Sequence, residues 1–254
     1  MSLHVRQLVK HFGGVHAVKG VSFEVHPGEC VALIGPNGAG KSTAFACIAG
    51  QQALTHGEVR WAGQRIDRLA PAQRQLLGVA RTFQVAQTFE ALTVLQNVQL
   101  LLAAPSGLRA WNVLKKASVD AATACLEQVG LGALADADAR DLPYGAKKRL
   151  ELAMALAGLQ GAGARLLLHD EPAAGLAAAE RAELMARVTA LAREGVAVLY
   201  TEHNMDAVFG VADRVLVLID GQIAAAGTPQ EVARDANVRR RYLGREFGAE
   251  PSHG

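Results

Sequence analysis

The segment Leu33–Thr43, LIGPNGAGKST, constrains the fold of this chain more than any other stretch. It fits G-x-x-x-x-G-K-[ST], with Gly35, Gly40, Lys41 and Ser42 at the fixed positions. The apolar run CVALIG precedes it and reads as a central strand. KSTAFACIAG follows and reads as a helix ending at Gly50. Strand, glycine loop and helix together form a cradle for phosphate. Glycines let the backbone wrap closely, the N–H groups point inward, and the helix N-terminus adds positive potential. The expected nucleotide contacts are therefore Asn37, Gly38, Ala39, Gly40, Lys41, Ser42 and Thr43. Lys41 reaches the β- and γ-phosphates of ATP, and the Ser42 hydroxyl ligates Mg²⁺.

A second acidic element narrows the chemistry. RLLLHDE puts Asp170 and Glu171 at the C-terminal end of an apolar strand, the edge that faces the ligand crevice of an α/β sheet. Asp170 is expected to hold Mg²⁺, directly or through water. Glu171, farther out, polarises a water for attack on the γ-phosphate. His203 ends the next strand, in LYTEHN; it is either structural or placed to reach the γ-phosphate and orient the water. Gln84, in RTFQ, lies where the chain changes character, and its amide suits the metal or the attacking water.

The rest of the chain supplies a frame for these residues. The first thirty residues alternate apolar and polar around a Pro27-Gly28 turn, as half-buried strands do, and GEVRWAGQRI reads as an antiparallel pair around Gly63. From Glu90 to Leu159 the pattern is helical and rich in Ala and Leu. From Arg165 strand and helix alternate again: a strand at RLLLHDE, a strand at VAVLYTEH, a hairpin at DRVLVLIDGQIAAAG, and a helix with a Thr cap at TPQEVARDANVRRRYL. An α/β core interrupted by a helical insert follows, and 254 residues that are 50% hydrophobic suffice to bury it. A formal net charge of +2 gives no sign of a bulk nucleic-acid binder. Cys30, Cys47 and Cys125 are odd in number and widely spaced, so buried structural thiols in a reducing compartment are expected. No segment reads as a signal peptide or membrane span.

The order of these elements, phosphate loop, Gln84, helical insert, Asp170-Glu171 and His203, resembles the nucleotide-binding subunit of ABC transporters over about Leu3 to Leu243. The resemblance implies a P-loop NTPase with a RecA-like core (residues 1–88 and 160–243), an N-terminal antiparallel β subdomain, an inserted α-helical subdomain (89–159) and a tail from 244 to 254. It makes Phe12 the aromatic that stacks on adenine, residues 35–43 the Walker A loop, 166–171 the Walker B strand, Gln84 the Q-loop, His203 the switch histidine and AAGLA the D-loop. FGGVHAV, RTFQ, LPYG, DEPAAGL and TEHNM are similar to the branched-chain amino acid importer branch, whose members also import urea, amides and aromatic acids. The partners implied are a second ATPase subunit, two transmembrane permease subunits and, indirectly, a periplasmic binding protein. The place implied is the cytoplasmic face of the inner membrane.

Several positions depart from the family pattern. L-S-G-G-Q, or L-A-Y-G-Q in this branch, is here Leu142-Pro143-Tyr144-Gly145-Ala146. That signature clamps the γ-phosphate on the partner subunit, so Tyr144 and Gly145 are its remaining contacts. Pro143 offers neither an N–H nor a hydroxyl. Met154 replaces a usual arginine, Ala177 a usual Asp or Asn, and His169 an apolar residue. The cis half of the site is complete and the trans half is thinned, which implies an asymmetric pair with one strong and one weak site, unless Tyr144, Gly145 and the helix N-terminus suffice. Other readings of the chain are a soluble ABC-type ATPase, a small-molecule P-loop kinase and a non-catalytic ATP-binding regulator.

Overall fold

The computed structural model describes residues 1–103 and 117–244. The N-terminal alternation becomes a hairpin of β1 (Leu3–Phe12) and β2 (Val15–Val25), followed by β3 (Cys30–Ile34) and the helix α1 (Lys41–Ala49). β4 (His56–Trp61) and β5 (Gln64–Arg65) extend the hairpin into an antiparallel sheet ordered β2-β1-β4-β5. A short helix α2 (Pro71–Leu76) then leads to β6 (Val79–Arg81), which lies just ahead of Gln84.

Helices α3 (Val94–Ala103), α4 (Ala117–Gln128) and α5 (Tyr144–Gly158) pack on one another between β6 and β7 (Leu166–Asp170). The chain continues through α6 (Ala178–Arg193), β8 (Ala197–Thr201), α7 (Met205–Phe209) and the hairpin of β9 (Arg214–Ile219) and β10 (Gln222–Gly227). The second sheet runs β10-β9-β3-β8-β7-β6, parallel except for the β10 edge.

The central strands are buried on both faces, and their period of two divides the core. Val31, Leu33, Leu166, Leu168, Ala197 and Leu199 face the antiparallel sheet and α1. Ala32, Ile34, Leu167, Val198 and Tyr200 face the opposite way, into the cluster that contains α5 and α6. Each fully buried Leu, Val or Ile contributes about 1.5–3 kcal/mol, so burial on both faces holds these strands between the two layers. A buried Arg74 joins α2 to α1: its guanidinium donates to the carbonyls of Cys47 (2.9 Å) and Ile48 (2.5 Å) at the α1 C-terminus. All three cysteines are buried, and burial pushes the Cys30 thiol up to about 12.

The single C-terminal helix expected from Thr228 to Leu243 is divided. α8 (Pro229–Arg234) begins at the Thr228 cap and stops at Asp235. Asp235 takes an extended conformation and caps a new turn, α9 (Ala236–Val238), by accepting from the N–H groups of Asn237 and Val238, and a π-helical turn follows over Arg239–Leu243. A short carboxylate competes well for backbone N–H groups, and here it ends one helix by starting another. Of the expected tail at 244–254, residues 245–254 lie outside the described residues, as does 104–116 within the helical region.

Candidate functional site

The parallel strands β3, β7 and β8 end side by side, and their C-terminal edge carries the expected residues. Asp170 pairs in register with Thr201, and Leu33, two residues before Gly35, pairs with Thr201 on the other side. Between β3 and α1 the loop turns at Gly35 (φ 147°) and Gly40 (φ 100°). A Cβ on Gly35 would lie 2.0 Å from the Leu218 carbonyl oxygen, and one on Gly40 2.3 Å from that of Ala17. The loop thus needs glycine for both backbone angle and space.

This loop frames a cavity of about 290 Å³. Asn37, Gly38, Ala39, Gly40, Lys41, Ser42 and Thr43 line one side; Glu171 and His203 close the other, with Val15, His16 and Ala17 at the rim. Lys41 is buried, and its Nζ donates to the carbonyls of Gly35 (2.6 Å) and Pro36 (3.0 Å). Burial lowers its pKa, against the opposing pull of Glu171 and Asp170. A poorly hydrated ammonium held by two neutral carbonyls is ready to exchange them for phosphate oxygens.

Glu171 has φ 45°, unusual for a residue with a Cβ, and its N–H donates to Thr201 Oγ1 at 3.0 Å. That twist sends the carboxylate between two side chains. Gln84 Nε2 donates to Oε2 at 2.7 Å, and His203 Nε2 bonds Oε1 at 3.0 Å. Three residues from distant parts of the chain therefore meet at the cavity mouth. A buried Glu202, which the sequence reading passed over, sets the His203 backbone: it accepts from the N–H groups of Ala173 (2.8 Å), His203 (2.9 Å) and Asn204 (3.0 Å).

Asp170 is held by a donor on each carboxylate oxygen. Thr201 Oγ1 donates to Oδ1 at 2.7 Å and the Arg81 guanidinium to Oδ2 at 2.7 Å. Arg81, three residues before Gln84, also lies over the rings of Phe45 (5.5 Å) and Phe83 (5.2 Å). The donor set of Ser42, Gln84 and Asp170 is all oxygen and suits Mg²⁺, which retains several waters and takes the rest of its shell from phosphate. Among the described residues no group of three or more His, Cys, Asp or Glu side chains forms a closed metal cage. With Arg81 on Asp170, contact of this carboxylate through a water fits better than direct ligation.

Other expected residues lie apart. Phe12 sits at the end of β1, opposite Val15 at the cavity rim; its ring is half exposed, with Lys10 Nζ 4.7 Å above it. Tyr144 and Gly145 begin α5 and do not line the cavity of their own chain. Pro143 is the N-cap, with no side-chain hydrogen bond to the first turn. Gly145 packs against the Glu180 side chain: a Cβ there would lie 2.4 Å from Glu180 Oε1, so a larger residue would require that carboxylate to move. His169 is fully buried and bonded through Nδ1 to Thr82 Oγ1.

A second concavity of about 380 Å³ opens beside Arg81, where Phe83, Phe89, Leu101, Met154 and Ala155 form a mostly apolar wall. Met154 occupies the position where the resemblance expects arginine, and its thioether makes this wall more apolar.

Residues 18–174 match the family model described as ABC transporter. The chain is 37% identical over 252 residues to the high-affinity branched-chain amino acid transport ATP-binding protein LivG of Escherichia coli, covering 95% of this chain and 97% of that protein. It is 35% identical, with the same coverage, to the corresponding protein BraF of Pseudomonas aeruginosa. A crystal structure of a nucleotide-free ATP-binding cassette from an ABC transporter superposes with a TM-score of 0.83 at 31% identity, covering 96% of this chain and all of that one.

Proposed function

The chain belongs to the ABC transporter ATP-binding family, and from that premise we propose that it powers uptake of branched-chain amino acids or related small solutes such as amides, urea and aromatic acids. Like its family, it is an ATPase. The observation that carries the site reading is the carboxylate of Glu171 held between Gln84 and His203 at the mouth of the phosphate-loop cavity. The similarity to LivG and BraF, proteins of high-affinity branched-chain amino acid transport, supports the substrate class.

Residues 37–43 bind the phosphates, Lys41 changes partners from carbonyls to β- and γ-oxygens, and Phe12 contacts adenine. Ser42, Gln84 and Asp170 hold Mg²⁺, which when bound offsets phosphate charge. Glu171 orients and polarises the attacking water while His203 and Gln84 fix the carboxylate. Catalysis of this kind is mostly positioning and charge stabilisation.

Tyr144 and Gly145 lie away from their own cavity, which supports their use on the nucleotide of a second ATPase subunit. The uncapped first turn of α5 leaves backbone donors for that contact. The apolar concavity at Phe83, Phe89 and Met154 suits the cytoplasmic loops of a permease subunit, and the segment 89–159 is the subdomain that carries them as it moves. No described helix is long and apolar enough to cross a membrane; such a subunit works at the cytoplasmic face of the inner membrane through its partners.

Glu171→Gln tests this reading. The amide keeps the shape of the site, so Mg-ATP should bind and turnover should stall. Light scattering with Mg-ATP should then show a dimer. A persistent ATP-bound monomer would mean that Pro143 and Ala146 prevent self-pairing and that the partner carries an intact signature. Turnover at the unsubstituted rate would remove Glu171 from the mechanism.

A further inference from the structure

Helix α5 presents Tyr144, Lys148 and Glu151 at i, i+4 and i+7, one face of a helix. All three reach the same short piece of main chain. Lys148 Nζ donates to the carbonyls of Phe83 (3.0 Å) and Gln84 (2.5 Å). The Tyr144 hydroxyl donates to the Gln84 carbonyl at 3.4 Å. Glu151 Oε1 accepts from the N–H of Phe83 at 2.9 Å and of Gln87 at 3.4 Å.

Lys148 is 0% exposed and Glu151 4% exposed. Burying a lysine and a glutamate is costly unless each is well bonded. Among the described residues no ion pair joins these two; their hydrogen bonds go to the loop. Burial lowers the Lys148 pKa and raises that of Glu151 to about 7.

The same loop is tied on its other side to β7. Arg81 pairs with Asp170, Thr82 Oγ1 bonds His169, and the Thr82 N–H donates to the Leu168 carbonyl at 2.9 Å. Residues 81–87 thus connect the strand bearing Asp170 to the helix bearing Tyr144, and the Gln84 side chain projects from that connection onto Glu171.

We propose that Lys148 and Glu151 are positioning residues for hydrolysis: they fasten the main chain at Phe83–Gln87 to α5, so that a displacement of the α5 N-terminus moves Gln84 against Glu171 in the same chain. The proposal rests on Glu171 as the water-polarising group. It gives the helix start that meets a partner's nucleotide a direct mechanical link to the chain's own hydrolytic carboxylate, through contiguous hydrogen bonds.

The test uses the full chain. Lys148→Met keeps the stem and removes the donor; Glu151→Gln keeps an acceptor; Glu151→Met removes it. Each is made alone and with Gln84→Ala. Three quantities are measured: ATP turnover, affinity for ATP, and amide exchange over residues 82–88 against the β3 and β8 strands. Lys148→Met and Glu151→Met should lower turnover by about tenfold or more while affinity stays within about threefold. In the Gln84→Ala background either should add less than about twofold, because residues that act through one group are non-additive. Glu151→Met should speed exchange at 82–88 by about tenfold, and Glu151→Gln should restore protection.

Losses that multiply with Gln84→Ala, or unchanged turnover in both methionine variants, would overturn the proposal. If Lys148→Met raises exchange everywhere, the two Glu151 variants decide: faster exchange confined to 82–88 with reduced turnover supports the link, and anything else refutes it. Glu171→Gln runs in parallel. If it still turns over ATP, the site reading has failed; if it stalls while the Glu151 variants behave as wild type, only the link has failed.

Discussion

His169 gives the chain a measurable acid sensitivity. Its imidazole is fully buried one residue before Asp170, and burial, with Lys148 nearby, holds its pKa at about 3 against an ordinary 6.5. The folded state keeps the ring neutral while the unfolded state protonates it. Below the unfolded pKa the unfolded chain binds more protons, so this contribution is complete above 6.5 and is lost as pH falls toward 3. At about pH 5 the exposed ring is about thirty times more often charged than neutral, which removes about 2 kcal/mol relative to about pH 7.5. With a urea dependence of roughly 2–3 kcal/mol per molar, the midpoint moves by about 0.7–1 M. His169→Leu abolishes this component. It leaves Thr82 Oγ1 short of a partner, at about 1 kcal/mol, but at both pH values alike. Urea unfolding of both proteins at the two pH values isolates the histidine, because all other titrating groups are shared. Equal midpoint losses on acidification in the two proteins would refute the reasoning.

Three further perturbations have defined outcomes. Gly40→Ala forces a Cβ to within 2.3 Å of the Ala17 carbonyl oxygen at φ 100°; it should cost about 2–4 kcal/mol and abolish the thermal stabilisation by ATP. Arg74→Met removes a buried guanidinium from the carbonyls of Cys47, Ile48, Leu69 and Asp67, and should destabilise by about 3 kcal/mol or more in urea unfolding. Thr228→Ala removes the cap that accepts from the Glu231 N–H at 3.3 Å and should cost only about 1 kcal/mol by the same measurement, without changing ATP turnover.

Much of the fold follows from short-range patterns. The short apolar run CVALI, bounded by Pro27-Gly28 and Gly35-Pro36, reads as a buried strand, while the two layers around it decide that Val31 and Leu33 face one way and Ala32 and Ile34 the other. The pairing of Trp61 with Gln64 across Ala62 and Gly63 was readable from the turn residues between them. β6 was not, because three residues carry too little periodicity to stand out. Asp235 ended the C-terminal helix by a cap that periodicity alone does not reveal.

The sequence by itself determined the phosphate loop and the acidic strand end, since both depend on local backbone: glycines where φ must be positive, and a hydrophobic strand that ends in carboxylates. It also nominated Gln84, Glu171 and His203 one by one. Tertiary structure alone decided what each group touches. Arg81 reaches Asp170 across 89 residues, Thr82 reaches His169 across 87, and Glu151 reaches Phe83 across 68. A charged residue within a helical pattern reads as solvent-facing until the fold buries it. Lys148 and Glu151 are buried because the Gln84 loop packs over α5, and Lys148 Nζ and Glu151 Oε1 bond backbone groups whose positions no local rule supplies.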